Sequence, residues 1–392
     1  MLKKYFLFLL LIVSNYSFSQ GMELSVYSKI SVITYGPGDA LYEKFGHTAI
    51  RIQDPVLQLD LIYNYGIFDF TEENFYINFT KGFMKYRLAR YSFPSSLRGY
   101  NNNERWVKAQ ILNLNVQQRN TFFNYLENNA QPKNASYFYD PFFNNCSTKP
   151  IDIMKAIFGD TIIYKSDFVT KENSIRQLMN KEIHTNTWGS LGINIALGNR
   201  LDKIALANEY AYLPDYVFET LENSKIIKEG KEEKLVLKTI KLLDYPEKSN
   251  HSDTINPFIV FLILLIFGAY ISYRDIKRNK CSRWFDLSLT LITGLFGVLI
   301  VFLWFFTNHS TAPNNFNFLW AFAPNFFLAF VMHKKNPPKW ISNYIKFLLV
   351  LLCLIPVIWI CNIQLFPYVL IPLFILLGLR YFVVLKFIKS SE

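Results

Sequence analysis

The chain divides by the period of its apolar positions. Up to about residue 250 they alternate or recur in short clusters between polar residues; beyond it they run almost unbroken. In the first part, residues 30–34, 47–52 and 59–65 combine β-branched and aromatic side chains and predict strands. Tyr35-Gly36-Pro37-Gly38-Asp39 and Gln53-Asp54-Pro55 carry the residue types of turns. Residues 71–83 have the spacing of a short amphipathic helix. Residues 107–114 predict a strand feeding a helix over Val116–Asn129, with Asn115 and Gln118 supplying its cap. A further helical pattern over residues 151–158 ends at Gly159, and the charged run 225–248 reads as a solvated strand or linker.

The second part holds five apolar runs, about 255–273, 285–307, 318–332, 341–361 and 366–384. Each is compatible with a membrane helix, although the third is short against the roughly 20 residues of a span. The linkers between them alternate. Arg274, Lys277, Arg278, Lys280 and Arg283 follow the first run, Lys334, Lys335 and Lys339 the third, and Lys386 and Lys389 the fifth. Linkers 308–317 and 362–365 contain neither Lys nor Arg. By the positive-inside rule the basic linkers and the C-terminus are cytoplasmic, and the region before residue 250 faces the export side. Residues 1–19 agree with that orientation. Lys3 and Lys4, an apolar stretch and Ser17-Phe18-Ser19 have the layout of a secretory signal.

Charge and composition sharpen this division. Of 392 residues, 51% are hydrophobic and only 18% charged, which excludes disorder and makes a single water-soluble globule a poor description. The net charge of +11 would suit a nucleic-acid partner if it were spread over the exported part. From His251 onward there are 12 Lys and Arg against 4 Asp and Glu, and before it 29 against 26. The excess belongs to membrane linkers, so no nucleic-acid partner is expected.

Of the four cysteines, Cys281, Cys353 and Cys361 lie in the membrane part, leaving Cys146 alone in the exported one. A single exported thiol has no internal disulfide partner. Asn144-Asn145-Cys146-Ser147 runs into the 151–158 helical pattern, which puts Cys146 on the loop entering a helix or in its first turn. There the helix N-terminus favours thiolate, bringing an ordinary pKa of about 8.5 downward. Such a nucleophile needs a base. His184 lies in a polar stretch and His251 at the membrane entry, whereas His47 begins a predicted strand directly after Gly46. Cys146 and His47 therefore form the candidate pair. No metal-ligand spacing and no glycine-rich phosphate loop is present, so neither metal nor cofactor is expected.

The order of a histidine strand, a second strand and an Asn-Cys helix resembles the circularly permuted papain-like fold of NlpC-related and lecithin retinol acyltransferase-like proteins. Phe45-Gly46-His47, Tyr63-Asn64-Tyr65-Gly66-Ile67-Phe68-Asp69-Phe70, Leu112-Asn113-Leu114 and Asn145-Cys146-Ser147-Thr148 more closely resemble the Lnb-type bacterial lipoprotein N-acyltransferases. Trp188, Leu197-Gly198, Asp202, Leu213-Pro214 and residues 309–324 extend the resemblance to nearly the whole chain after residue 28. One departure is Lys149, where an arginine is expected. The resemblance implies an α+β exported domain, 20–250, followed by an all-α bundle, 251–392. It also implies a phospholipid acyl donor and a diacylated lipoprotein acceptor. Cys146 would carry the acyl chain as a thioester and His47 would move the protons. Asn64 or Asp60, on one face of the same strand, would orient His47. Backbone N–H groups at the helix start, with Asn145 and Ser147, would support the oxyanion. Tyr65, His309, Asn317 and Trp320 are candidate substrate contacts. Two other readings remain: a membrane-tethered Cys/His peptidase or amidase acting on cell-wall peptide, and a non-catalytic scaffold.

Overall fold

The computed structural model describes residues 22–332 and 334–389. The signal-segment expectation for residues 1–19 lies outside them. In chain order the exported part contains β1 (Lys29–Tyr35), β2 (His47–Asp54), β3 (Leu59–Ile67), α1 (Phe75–Thr80), β4 (Lys85–Ser92), α2 (Phe93–Asn102), β5 (Val107–Leu112), α3 (Val116–Asn129), β6 (Ser136–Phe138) and α4 (Thr148–Phe158). It continues with β7 (Ile162–Ile163), α5 (Ile175–Glu182), α6 (Trp188–Ala196), α7 (Pro214–Asn223), β8 (Lys225–Lys228), β9 (Lys231–Lys234) and β10 (Val236–Leu243). Then come α8 (Pro257–Arg278), α9 (Arg283–Phe305), α10 (Pro324–Met332), α11 (Trp340–Ile360) and α12 (Ile371–Lys389).

Seven strands form one antiparallel sheet in the order β10-β5-β1-β2-β3-β4-β6. Side-chain alternation gives each face its own core. Val32, Ile50, Ile52 and Tyr63 pack with α3 and α4, while Ile33, Ala49 and Ile62 pack with Phe93 of α2. The α3 cap is reciprocal: Gln118 N–H donates to Asn115 Oδ1 and Asn115 N–H to Gln118 Oε1. The 225–248 run is more structured than a linker. Its last strand completes the main sheet against β5, and β8 and β9 form a second small sheet with β7. Over residues 71–83 only the six residues of α1 are helical. Asn74 and Gly82, both at positive φ, bracket them.

Beyond residue 250, α8, α9, α11 and the segment Tyr368–Ile388 are long and apolar enough to cross a membrane. The third run is different. It contains a 3₁₀ turn, Phe316–Leu319, and the nine-residue α10. At 1.5 Å per residue α10 reaches about 14 Å, half of a hydrocarbon core of about 30 Å. Irregular backbone fills the rest, which is tolerated at membrane depth only where protein satisfies its polar groups. Asn315 Nδ2 donates to Ile195 O, Asn317 Nδ2 to Asn194 O, and the Phe316 N–H to Gln364 Oε1. Two glycines on α9 admit this backbone. A Cβ on Gly294 would lie 2.2 Å from Phe326 N, and one on Gly297 2.1 Å from Ala321 O.

The broken segment also joins the two parts of the chain. Leu191 and Ile195 of α6 share a core with Ile300, Leu319 and Trp320. Gly198 N–H donates to Thr311 O and Asn199 N–H to Asn314 O. Fully buried Arg176 holds the α6 end of this joint. Its guanidinium donates to Asp202, to Asn194 Oδ1 and to the carbonyls of Leu197 and Gly198. Asp202 Oδ1 also accepts the Leu365 N–H from the loop before α12. At the opposite end, Arg380 on α12 pairs with Asp275 on α8 and Asp286 on α9. There Arg283 donates to Lys335 O, so two basic linkers meet.

Removing one member of a buried ion pair leaves the other uncompensated, at about 3–5 kcal/mol. Arg176→Ala is therefore expected to lower the melting midpoint of the detergent-solubilised protein by several degrees. A midpoint equal to the parent's would refute this account of the joint.

Candidate active site

His47 opens β2 from a tight entry. Gly46 has φ +71, and a Cβ there would lie 2.8 Å from Tyr35 O, so glycine is required. The imidazole stacks on Tyr35 at 5.8 Å, and Tyr100 stacks behind Tyr35 at 3.9 Å. Nε2 of His47 lies 2.6 Å from Asn64 Oδ1. That amide oxygen can only accept, so Nε2 carries a proton and Nδ1 is left for the thiol. Asn64 is oriented in turn by donating from Nδ2 to the Tyr91 hydroxyl at 2.8 Å.

The Cys146 thiol and the His47 imidazole lie close enough to interact electrostatically. Burial opposes both charged forms, pushing the thiol up and the imidazole down. Their mutual attraction prevails: Cys146 falls below the ordinary thiol range and His47 rises above the ordinary imidazole value. The Thr48 N–H and the Ser147 hydroxyl add to the stabilisation of the sulfur, and Asn64 to that of the imidazolium. Each charge thus favours the other, which biases the pair toward thiolate and imidazolium.

Local backbone features bring the pair together. A register shift in β3 between Asn64 and Ile67 places Gly66 at φ +91. A Cβ there would sit 3.7 Å from that of Cys146 and 3.4 Å from the Tyr139 ring. Bulges of this kind commonly re-aim strands beside functional sites. Cys146 itself lies just ahead of α4, but the helix head is occupied. The N–H groups of Ser147 and Thr148 both donate to Asn145 Oδ1, at 2.8 and 3.0 Å. Asn145 Nδ2 donates to Pro141 O and Tyr212 O. The side chain of Asn145 therefore positions the loop and has no hydrogen left for an oxyanion, contrary to the expectation above. Ser147 is buried, with its hydroxyl 3.3 Å from Thr48 Oγ1 and 3.9 Å from Cys146 Sγ.

The other expected residues separate. Asp60 is held by Arg51 through two bonds of 2.6 and 2.8 Å. Four residues along β3 at about 3.3 Å each, it is some 13 Å from Asn64 and is not the partner of His47. Tyr65 and His309 line a cavity of about 1120 Å³ that also exposes Cys146 and His47. Asn317 and Trp320 do not line it. Both are buried, with Trp320 Nε1 donating to Asn317 Oδ1, and they belong to the joint with α6. Lys149 lies 4.5 Å over the Tyr137 ring, a contact that accepts either basic side chain. Tyr91 and Gly66 were missed as functional positions. A tyrosine across a strand pair has no local signature, but a glycine inside a strand pattern is a recognised bulge signal.

Residues 24–180 match the Lnb N-terminal periplasmic domain, and residues 248–392 match the Lnb transmembrane domain. The chain belongs to the Lnb family. It is accordingly a membrane protein with a periplasmic α/β domain, and His47, Asn64 and Cys146 all fall within the first Lnb match. Searches of curated proteins and of solved structures each returned no match. Between the two Lnb matches lie α6, Gly198 and Asp202, the pieces that dock onto the broken segment.

Alkylation of Cys146 by iodoacetamide is expected to show a pH midpoint below the ordinary 8.5 of a free thiol. His47→Ala removes the counter-ion and leaves burial opposed only by the Thr48 N–H and the Ser147 hydroxyl, so the midpoint moves up from the parent's. Tyr91→Phe, which frees the Asn64 amide, raises it by a smaller step, and Asp60→Asn leaves it in place. An unchanged midpoint in His47→Ala would show that the thiol is not paired.

Proposed function

We propose that the protein is a lipoprotein N-acyltransferase using Cys146 as nucleophile. The observation that carries the reading is the position of the Cys146–His47–Asn64 chain, on the wall of a large cavity continuous with the periplasmic ends of the spans. Among the described residues lining that cavity, Asp140 is the only Asp, Glu, Lys or Arg. Such a site suits an acyl chain and keeps water from a thioester. A cell-wall peptide would call for more polar lining, and a scaffold would have no use for a lowered thiol beside a raised imidazole.

In the first half-reaction His47 Nδ1 takes the Cys146 proton and the sulfur attacks a phospholipid ester carbonyl. The tetrahedral adduct collapses with C–O cleavage, and His47 protonates the departing alkoxide to give a lysophospholipid and an acyl thioester. With the helix-head N–H groups of Ser147 and Thr148 taken by Asn145, the Cys146 N–H is the backbone donor for the oxyanion. In the second half the free α-amine of a diacylglyceryl-cysteine attacks the thioester. His47 accepts the amine proton, C–S cleavage releases the thiolate, and an amide remains. Tyr65 and His309 contact the substrate in this reading.

The domain division follows the same logic: a papain-like periplasmic domain over residues 20–250 and a membrane domain over 251–392. Residues 318–332 serve as the third crossing of five, in broken form. The meeting of Arg283 with Lys335 supports a common cytoplasmic side for the basic linkers, and hence an inner-membrane protein with a cytoplasmic C-terminus.

Mass spectrometry of lipoprotein N-termini tests this directly. Cells carrying the protein should show an N-linked acyl chain that disappears with Cys146→Ala and with His47→Ala. Acylation persisting in Cys146→Ala would sink the proposal and favour hydrolysis.

A further inference from the structure

The periplasmic domain has an apolar segment that its own core does not account for. The helix α1, Phe75-Tyr76-Ile77-Asn78-Phe79-Thr80, carries no charge, and Tyr76 and Ile77 are 68% and 53% exposed. Around it Phe70, Phe79 and Phe83 are also exposed. A chain of ring contacts runs from Phe68 through Phe70 and Phe75 to Phe79, and Phe79 meets His309 edge-on at 6.4 Å. An apolar surface of this kind on a periplasmic domain calls for a partner.

The height of α1 says which partner. Asn308 N–H donates to Lys81 O at 2.8 Å, and a Cβ on Gly82 would lie 2.7 Å from His309 N. These residues follow directly on the periplasmic end of α9, where Phe305 and Phe306 are 65% and 70% exposed beside Trp304. Aromatic residues at the end of a span mark the membrane–water interface. The fastening of Lys81 and Gly82 to residues 308–309 therefore sets α1 at that level. Phe75, Tyr76 and Phe79 line the Cys146 cavity from one side, and Leu303 of α9 lines it from another.

We propose that α1 lies in the periplasmic leaflet of the bilayer and forms, with the end of α9, a lateral portal through which a phospholipid acyl chain reaches Cys146. The portal rests on the acyltransferase reading; the bilayer contact of α1 does not. A chain entering here leaves lipid for an aromatic wall and meets the thiol without crossing water. The portal also limits the donor to lipids in the plane of the membrane.

The test uses the full chain in lipid nanodiscs. In Ile77→Trp, the emission gained over the parent should fall by at least half with lipids brominated near the glycerol backbone, and less with lipids brominated at the chain ends. Ile77→Glu should reduce acyl transfer from bilayer phospholipid at least 10-fold, with its melting midpoint measured alongside to verify folding. Unquenched Ile77→Trp emission would overturn the bilayer contact. Undiminished transfer in Ile77→Glu would overturn the portal. If the parent protein shows no acyl transfer, the functional reading fails instead, and quenching of Ile77→Trp still decides where α1 sits.

Discussion

The buried guanidinium of Arg176 fixes how the periplasmic and membrane parts sit on one another. It gathers Asp202, Asn194 and two carbonyls from the turn after α6, groups that would otherwise be buried unsatisfied. That turn presents the Gly198 and Asn199 N–H groups to the broken segment, whose carbonyls at Thr311 and Asn314 need donors. The irregular backbone at 308–323 depends on this exchange, because lipid offers no hydrogen bonds. One wall of the Cys146 cavity is made of the same pieces: Ile193 and Ala196 of α6, and residues 308–312. The site is complete only while the joint holds.

Within the site, two opposing effects of burial are balanced. An apolar cavity suits an acyl chain but penalises thiolate and imidazolium alike. Placing the two side by side lets each offset the desolvation of the other, and the Asn64–Tyr91 pair adds a neutral brace that introduces no further charge. A carboxylate in place of Asn64 would hold the imidazolium more strongly, at the expense of its readiness to give the proton to a leaving group.

Legibility in the sequence followed the range of the forces involved. The α3 cap was readable because Asn115 and Gln118 are three residues apart and bond to each other. The positions of His47 at a strand start and of Cys146 just ahead of a helix were readable because a glycine entry and a helix start are local features. Four long spans and the shared side of the basic linkers rest on composition along a single stretch. Asn317 and Trp320 were candidate contacts because they lie in or just after the uncharged linker 308–317 on the export side. Their task is to bond a segment more than 120 residues earlier, which no local pattern reveals. The choice between Asn64 and Asp60 likewise needed Arg51, whose reach to Asp60 depends on strand pairing. The oxyanion assignment of Asn145 failed for a comparable reason: Tyr212 O, 67 residues away, takes one of its hydrogens.

The docking of Gly198 against Pro313 has a consequence for inheritance. A Cβ on Gly198 would stand 1.9 Å from Pro313 O, so this glycine and the loop opposite it are two halves of one fitted surface. A periplasmic domain taken from one relative and a membrane domain from another would meet here with mismatched halves. Selection must therefore act on residues 194–202 and 308–317 as a unit. Among Lnb proteins, substitutions in the two stretches should be correlated across lineages, although more than 100 residues of sequence lie between them.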